Sequence, residues 1–233
     1  MIRHMKLKQL TERVWIFPYE EERDRPNLCY VKGRRLDLAV DAGHSAAHVR
    51  EFYALLGKEN LPLPDLTVLT HWHWDHTFGM HAVHGLTLAN ERTNRYLAEW
   101  KEKIEKNGPG EFLAIHESIR REYPAGTEVT VRTADIVFDG ELTLDLGGCT
   151  VKVVQAEAPH TDDSTLVYVE NDRVLFVGDS TCHDFFTGIK RADLCAKMAD
   201  TIRKINPAVI MEGHWIPVPM EDTLEDLMTN LSE

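Results

Sequence analysis

A chain of 233 residues with 43% apolar content can bury a substantial core, which excludes a disordered or fibrous protein. Its formal net charge of −12 repels polyanions, and no stretch approaches the roughly 20 apolar residues of a membrane span, so neither nucleic acid nor membrane is an expected partner. Met1 to Leu10 carries Arg3, Lys6 and Lys8 but no apolar stretch of signal-peptide length, and Cys29, Cys149, Cys182 and Cys195 lack a paired-motif spacing, so a cytoplasmic location with free thiols is expected.

Short β-branched runs predict strands near 13–17, 27–32, 36–40, 66–70, 86–89, 136–138, 142–145, 149–155, 164–169, 173–177 and 208–211. Helices fall between them. Residues 46–56 place Val49, Phe52, Tyr53 and Leu56 on one face behind a Ser45 cap. Residues 91–106 and 111–122 form a helical pair broken by Asn107-Gly108-Pro109-Gly110, placed between the two clusters of ligand-type residues where it can overhang a pocket. Residues 191–205 put Leu194, Met198, Ile202 and Ile205 on one face, and 220–231 reads as a closing helix. No linker or low-complexity tract interrupts the chain, so one domain over 1–233 is expected. Two series of strands with helices outside both imply an α/β fold, a four-layer αβ/βα sandwich, and no sequence repeat shows a duplication.

The most informative segment is residues 71–76, His-Trp-His-Trp-Asp-His. With 12 His in 233 residues, a chance His-x-His-x-Asp-His has a probability on the order of 0.002 per chain. In an extended segment residues i and i+2 point the same way, so His71 and His73 can grip one ion, and a turn into a helix swings Asp75 and His76 toward a second. Imidazole and carboxylate without thiolate suit zinc, iron or manganese. The run alone is too short of ligands for a closed dinuclear centre. Four other apolar runs stop at a polar residue of the same type: 38–40 before Asp41, 151–158 before Pro159-His160, 174–178 before Asp179, and 208–212 before Gly213-His214. With 66–70 before His71, five strand ends converge where α/β folds gather ligand sites.

These motifs, taken in order as Asp-x-Gly (Asp41, Gly43), His-x-His-x-Asp-His, Pro-His-Thr-x-Asp-Ser (Pro159 to Ser164), Gly-Asp-Ser (Gly178 to Ser180) and Gly-His (Gly213, His214), resemble the metallo-β-lactamase superfamily over nearly the whole chain. The resemblance implies one divalent ion on His71, His73 and His160, a second on Asp75, His76 and His214, and Asp179 bridging both. It implies a hydrolase in which a hydroxide between two ions, zinc first with manganese or iron as alternatives, attacks a small carboxylic ester, lactone or thioester, with Asp75 orienting it. Zinc β-lactamases of the best-known subclass carry a cysteine where Asp179 stands, which argues against a dedicated antibiotic-degrading enzyme. Redox di-iron relatives usually carry Glu at the position of His73. Thr-Phe-Gly-Met after His76 and Ala158-Pro159 before His160 also depart from common family patterns, and they bear on substrate class.

Asp41 is expected to hold a ligating imidazole in its proper tautomer. His183, with Asp184, is a candidate to protonate a leaving group. Trp72 and Trp74 are expected to pack and dry the site, Cys182 to be a core or wall thiol because no base is placed for it, and His44 to stand at the pocket rim. Alternative functions are phosphodiester cleavage on the same two ions, a di-metal redox module, or a non-catalytic metal-binding protein. The partner is expected to be a small molecule, with no indication of oligomeric state.

Overall fold

Along the central strands the side chains alternate between two apolar environments, and that alternation sets the layers. The structure, a computed structural model, describes residues 6–229. The first sheet holds, in spatial and chain order, β1 (Lys8–Gln9), β2 (Val14–Phe17), β3 (Leu28–Val31), β4 (Leu38–Val40), β5 (Leu66–Val68), β6 (Leu86–Asn90) and β7 (Ile136–Phe138). The second holds β8 (Glu141–Asp145), β9 (Thr150–Ala156), β10 (Ser164–Val169), β11 (Val174–Gly178), β12 (Val209–Glu212) and β13 (Val218–Pro219), again side by side in chain order. The helices are α1 (Ala46–Lys58), α2 (Trp74–Thr77), α3 (Glu91–Asn107), α4 (Gly110–Ile115), α5 (Glu117–Glu122), α6 (Ala192–Ile205) and α7 (Met220–Leu227). A 3₁₀ turn, Phe78–Ala82, continues from α2.

Val14, Ile16, Val31 and Val40 of the first sheet meet Val151, Val153, Val167, Val169 and Phe176 of the second in one buried inter-sheet core. The alternate positions face outward. Phe17, Leu28, Tyr30 and Ala39 pack on Phe52 and Leu56 of α1. Leu166, Leu175 and Val177 pack on Met198, Ala199 and Ile202 of α6 and on Leu227 of α7. Helix, sheet, sheet and helix thus form the four-layer αβ/βα sandwich, and the period of two along each strand is its cause.

β4, β5, β6 and β7 pair in parallel, as do β11 and β12, whereas the remaining pairings are antiparallel. Parallel strands send their carboxyl ends the same way, so the loops after β4, β5, β11 and β12 can emerge together. The backbone carries this across the sheets, since Thr165 N–H in β10 donates to the Thr70 carbonyl beyond β5 at 2.6 Å.

The expected strands all occur, and the two-residue β1 and β13 are additions too short to show a period. Ser45 caps α1 by accepting from the N–H groups of Ala47 (3.1 Å) and His48 (3.3 Å). The helix expected over 111–122 is corrected to two. His116 is extended (φ −146°, ψ 157°) and its Nδ1 accepts from the N–H of Ser118 at 3.3 Å, ending α4 and capping α5. The last helix stops at Leu227, and positions 230–231 of the expected 220–231 lie outside the described residues. The α3–α5 segment buttresses the 71–76 run: Trp100 stacks on Trp72 at 6.0 Å, and Phe112 meets Trp74 at 6.1 Å. α5 is tied down by Glu122, which accepts two 2.8 Å bonds from the buried Arg25 guanidinium and one from the Ser45 hydroxyl. Removing one member of such a buried pair costs about 3–5 kcal/mol. Among the described residues no helix is long and apolar enough to cross a membrane.

Candidate metal centre

Thr70, the last residue before the His71–His76 run, organises one half of the site. Its N–H donates to Asp41 Oδ1 at 2.8 Å and its hydroxyl to Asp41 Oδ2 at 3.0 Å. The hydroxyl proton being spent there, Oγ1 is an acceptor for His71 Nδ1–H at 3.1 Å. Asp41 Oδ2 also accepts Nδ1–H of His76 at 2.7 Å, and the His183 carbonyl accepts Nδ1–H of His160 at 2.7 Å. Each acceptor takes an Nδ1 proton, so a neutral ring at any of the three positions presents the lone pair of Nε2 to a ligand. Asp41 serves three donors from a left-handed backbone (φ +65°), a conformation an aspartate tolerates better than most residues.

The extended backbone of His73 (φ −54°, ψ 145°) precedes α2, and that switch turns Asp75 and His76 inward. Two groups result. One ligand-type atom from each of His71, His73 and His160 lies within 4.8 Å of the others, and the same holds for Asp75, His76, Asp179 and His214. His160 Nε2 is 3.0 Å from His73 Nδ1, and His214 Nε2 is 2.9 Å from Asp75 Oδ2. Asp179 Oδ2 stands 3.4 Å from His76 Nε2, 3.6 Å from His214 Nε2 and 3.8 Å from His160 Nε2, so it reaches both groups. All seven predicted ligand positions are therefore gathered at one end of the sandwich.

These residues fit divalent metal. His71 Nε2, His76 Nε2 and Asp179 Oδ1 are buried polar atoms without a hydrogen-bond partner, and a folded protein rarely leaves such atoms unsatisfied. Burial, reinforced by the neighbouring imidazoles, holds His71 well below its ordinary pKa and brings His73 down to about 3, which keeps both neutral as ligation requires. The second group is charged in the absence of metal. Burial opposes charge on His76 and His214, yet the carboxylates outweigh it: Asp75 and Asp179 raise His76, and Asp179 and Asp75 raise His214 to about 9. Burial likewise works against ionising Asp75 and Asp179, and the imidazoles of His76 and His214 overcome it to hold both carboxyls well below the usual range.

Two glycines permit this crowding. A Cβ on Gly213 would lie 2.2 Å from Asp179 Oδ1 and 2.7 Å from His76 Cε1, and one on Gly178 (φ +54°) would lie 2.5 Å from Thr70 Oγ1. Only glycine leaves the ligands room at either position.

Trp72 and Trp74 are buried, as expected of packing groups. Cys182 is exposed, but protein around its thiol, together with Asp179 and Glu212, pushes its pKa up, so it is no ready nucleophile. His183 contributes its carbonyl to His160 while its side chain is exposed. His44, expected at the pocket rim, is fully buried, its Nδ1 2.9 Å from the Arg23 carbonyl under the turn that carries Asp24.

Sequence reasoning missed four supports. Thr70 is one. Asp163 is a fully buried carboxylate whose Oδ2 accepts from Trp72 N–H (2.9 Å) and the Thr93 hydroxyl (2.7 Å), with Oδ1 accepting from Thr161 (2.6 Å); burial raises its pKa to about 6. Its place in Pro-His-Thr-x-Asp-Ser was the one available signal. Asn27 donates to the carbonyls of Glu212 (2.9 Å) and Trp215 (2.8 Å), which holds the turn bearing His214. Asp24 Oδ1 lies 3.9 Å from His214 Nδ1. Neither has a pattern in the sequence.

The family model described as "Metallo-beta-lactamase superfamily" matches residues 32–214. No curated protein matches the chain in sequence. Among solved structures, a metallo-beta-lactamase from Pontibacter korlensis is similar at a TM-score of 0.71 and 18% identity, over 97% of this chain and 100% of that one. A metallo-beta-lactamase family protein from Thermus thermophilus is similar at a TM-score of 0.68 and 17% identity, over 94% of this chain and 79% of that one. The stereoselective inverting sec-alkylsulfatase Pisa1 from Pseudomonas sp. is similar at a TM-score of 0.71 and 14% identity, over 96% of this chain and 40% of that one. At these identities the likeness is one of fold.

Proposed function

The chain belongs to the metallo-β-lactamase superfamily, and from that premise we propose that it is a hydrolase of small carboxylic esters, lactones or thioesters working with two divalent ions. The observation that carries this reading is the pair of adjoining donor groups with buried, unpartnered Nε2 and carboxylate atoms. His71, His73 and His160 would hold one ion, Asp75, His76 and His214 the other, and Asp179 would bridge them. Zinc suits three imidazoles and a mixed imidazole–carboxylate set, and manganese or iron suits the same donors.

Two bound ions supply Lewis acidity, polarising a carbonyl and bringing the pKa of water to about 7. The protein's part is positional. Asp75 accepts a hydrogen bond from the attacking water and orients it, Asp41 keeps the His76 proton on Nδ1, and Trp72 and Trp74 exclude bulk water. The His183 imidazole, exposed beside the His160 anchor, donates a proton to the leaving group. The high pKa of Cys182 supports a route without a covalent acyl-enzyme. A single domain over 1–233 and a cytoplasmic location belong to the same proposal. The first is supported by ligands drawn from both sheets.

Metal analysis of purified protein should find close to two ions per chain, and a strong chelator should abolish hydrolysis until zinc or manganese is returned. Assays on lactones, aryl esters, S-lactoylglutathione, a chromogenic cephalosporin and bis(p-nitrophenyl) phosphate should show turnover at carbonyl carbon rather than phosphorus. Full activity in rigorously metal-free protein refutes the proposal.

A further inference from the structure

Ten large apolar side chains are exposed among the described residues, and five of them, Phe185, Phe186, Ile189, Trp215 and Ile216, fall on the two loops that directly follow Asp179 and His214. Large exposed apolar patches on a soluble protein mark places where something binds. Here two of the five adjoin the site. Phe185 and Phe186 lie 6.1 and 6.0 Å, ring to ring, from His73. Phe186 runs parallel to Trp72 at 6.1 Å (2° between planes), and Phe185 meets Trp74 edge-on at 5.3 Å.

The loop is constructed to hold those rings outward. Cys182 N–H donates to the Asp179 carbonyl (2.8 Å), and His160 grips the His183 carbonyl. Asp184 then closes the turn: its Oδ1 accepts from Phe186 N–H (3.0 Å), Thr187 N–H (2.7 Å) and the Thr187 hydroxyl (2.8 Å), while its N–H donates to the Ile189 carbonyl (3.0 Å). Such an Asx-type turn fixes the backbone locally. Phe185 and Phe186 nevertheless remain 41% and 58% exposed. The cations that follow are spent elsewhere, with Lys190 3.1 Å from Asp226 and Arg191 2.6 Å from Asp193, so an anionic substrate tail finds no free cation there.

We propose that the Phe185–Phe186 turn is the acyl-binding wall of the active site and selects substrates whose acyl group is an uncharged alkyl or aryl chain. The inference rests on the hydrolase reading for the identity of the chain as an acyl group, while contact of an apolar chain with the two rings is measured apart from it. An apolar chain leaving the carbonyl at the His73 side would cover both rings and remove them, and itself, from water.

The test uses the zinc-loaded protein and p-nitrophenyl esters from acetate to octanoate. Burial of a methylene is worth up to about fourfold, so kcat/KM should climb about two- to fourfold per added methylene until the wall is covered. Phe185→Ala/Phe186→Ala should flatten that climb to under about 1.5-fold per methylene, by the same area argument, whereas Phe186→Leu, which stays apolar, should keep most of it. Circular dichroism confirms the fold of each variant. In a second arm, tryptophan fluorescence reports binding of butanoate and octanoate to the same samples, with octanoate expected to bind more tightly than butanoate in the parent and in Phe186→Leu but not in the double variant. A parent without chain-length dependence, or a double variant with the parent's slope, overturns the wall. If no ester, lactone or thioester is hydrolysed, the hydrolase reading fails, and the binding arm decides the apolar wall by itself: tighter octanoate binding lost in the double variant upholds it, and equal binding of the two acids overturns it.

Discussion

Replacing Asp41 by Asn or by Ala should separate two quantities that usually fall together. Asp41 accepts from Thr70 N–H, the Thr70 hydroxyl and His76 Nδ1–H. Asn keeps the shape, keeps an oxygen for Thr70 N–H and tolerates the φ of +65°, but turns an NH2 group toward His76. His76 must then accept at Nδ1 and carry its proton on Nε2, the nitrogen directed at Asp75 (3.1 Å) and Asp179 (3.4 Å), where an ion would sit. Ala removes the acceptor without imposing the wrong tautomer, yet orphans the buried Thr70 N–H at about 1–3 kcal/mol and puts a poorly suited residue in the left-handed region at about 1–2 kcal/mol. We therefore expect Asp41→Ala to lose about 2–5 kcal/mol of metal-free stability and Asp41→Asn clearly less. For metal the order reverses. Loss of such a supporting hydrogen bond weakens ligation about 10–100-fold, or about 1.4–2.8 kcal/mol, and Asn should stand at the upper end with Ala below it. Competition with a chromogenic chelator reads the affinities, and urea unfolding in EDTA reads the stabilities. If Asp41→Asn holds the second ion as tightly as the parent, or if Ala proves the poorer metal binder of the two, control of the His76 tautomer by Asp41 is wrong.

Asp179→Ala should drop the protein toward one bound ion and abolish turnover while the circular dichroism spectrum is retained; two tightly held ions with parental turnover would exclude Asp179 as the bridge. Gly213→Ala drives a Cβ to within 2.2 Å of Asp179 Oδ1 and should weaken metal binding by about tenfold or more, whereas Gly57→Ala, which meets nothing within 4 Å, should leave affinity unchanged; equal affinities in the two variants would refute the crowding argument. Because the neighbouring carboxylates raise His214 to about 9 and push His76 in the same direction, His214 is protonated in the metal-free protein at neutral pH and the site must lose a proton to bind a cation. Calorimetry in buffers of different ionisation heat at pH 7 should therefore show proton release on zinc uptake, with affinity rising as the pH climbs toward 9; uptake without proton release contradicts it. The stability that His214 lends the metal-free fold follows the opposite course, complete below its ordinary value of 6.5 and lost as pH rises through about 9, which urea unfolding across that range in EDTA measures.

Alternation and polar stops made the strands legible one at a time. Val14 and Ile16 against Trp15 and Phe17 already state that β2 has two apolar faces, and Asp41, His71, His160, Asp179 and His214 announce themselves because each interrupts an apolar run. Those are local signals, carried by residues within a few positions of one another, and the order of the motifs added the resemblance to the family. The break at His116 was illegible because apolar spacing on either side of it continues a helical period, while the break itself depends on one side chain folding back on Ser118. The supporting atoms were illegible for a stronger reason. Trp72 meets Asp163 across 91 positions, Asn27 meets Trp215 across 188, and His44 turns away from the rim to hold a carbonyl 21 positions earlier. Hydrogen bonds of that kind leave no periodicity, since a polar residue in a loop looks the same whether water or a distant backbone satisfies it. Only the register of β4, β5, β11 and β12, set by the packing of two sheets, brings those loops to one end, aims the imidazole lone pairs and stands two phenylalanines beside them.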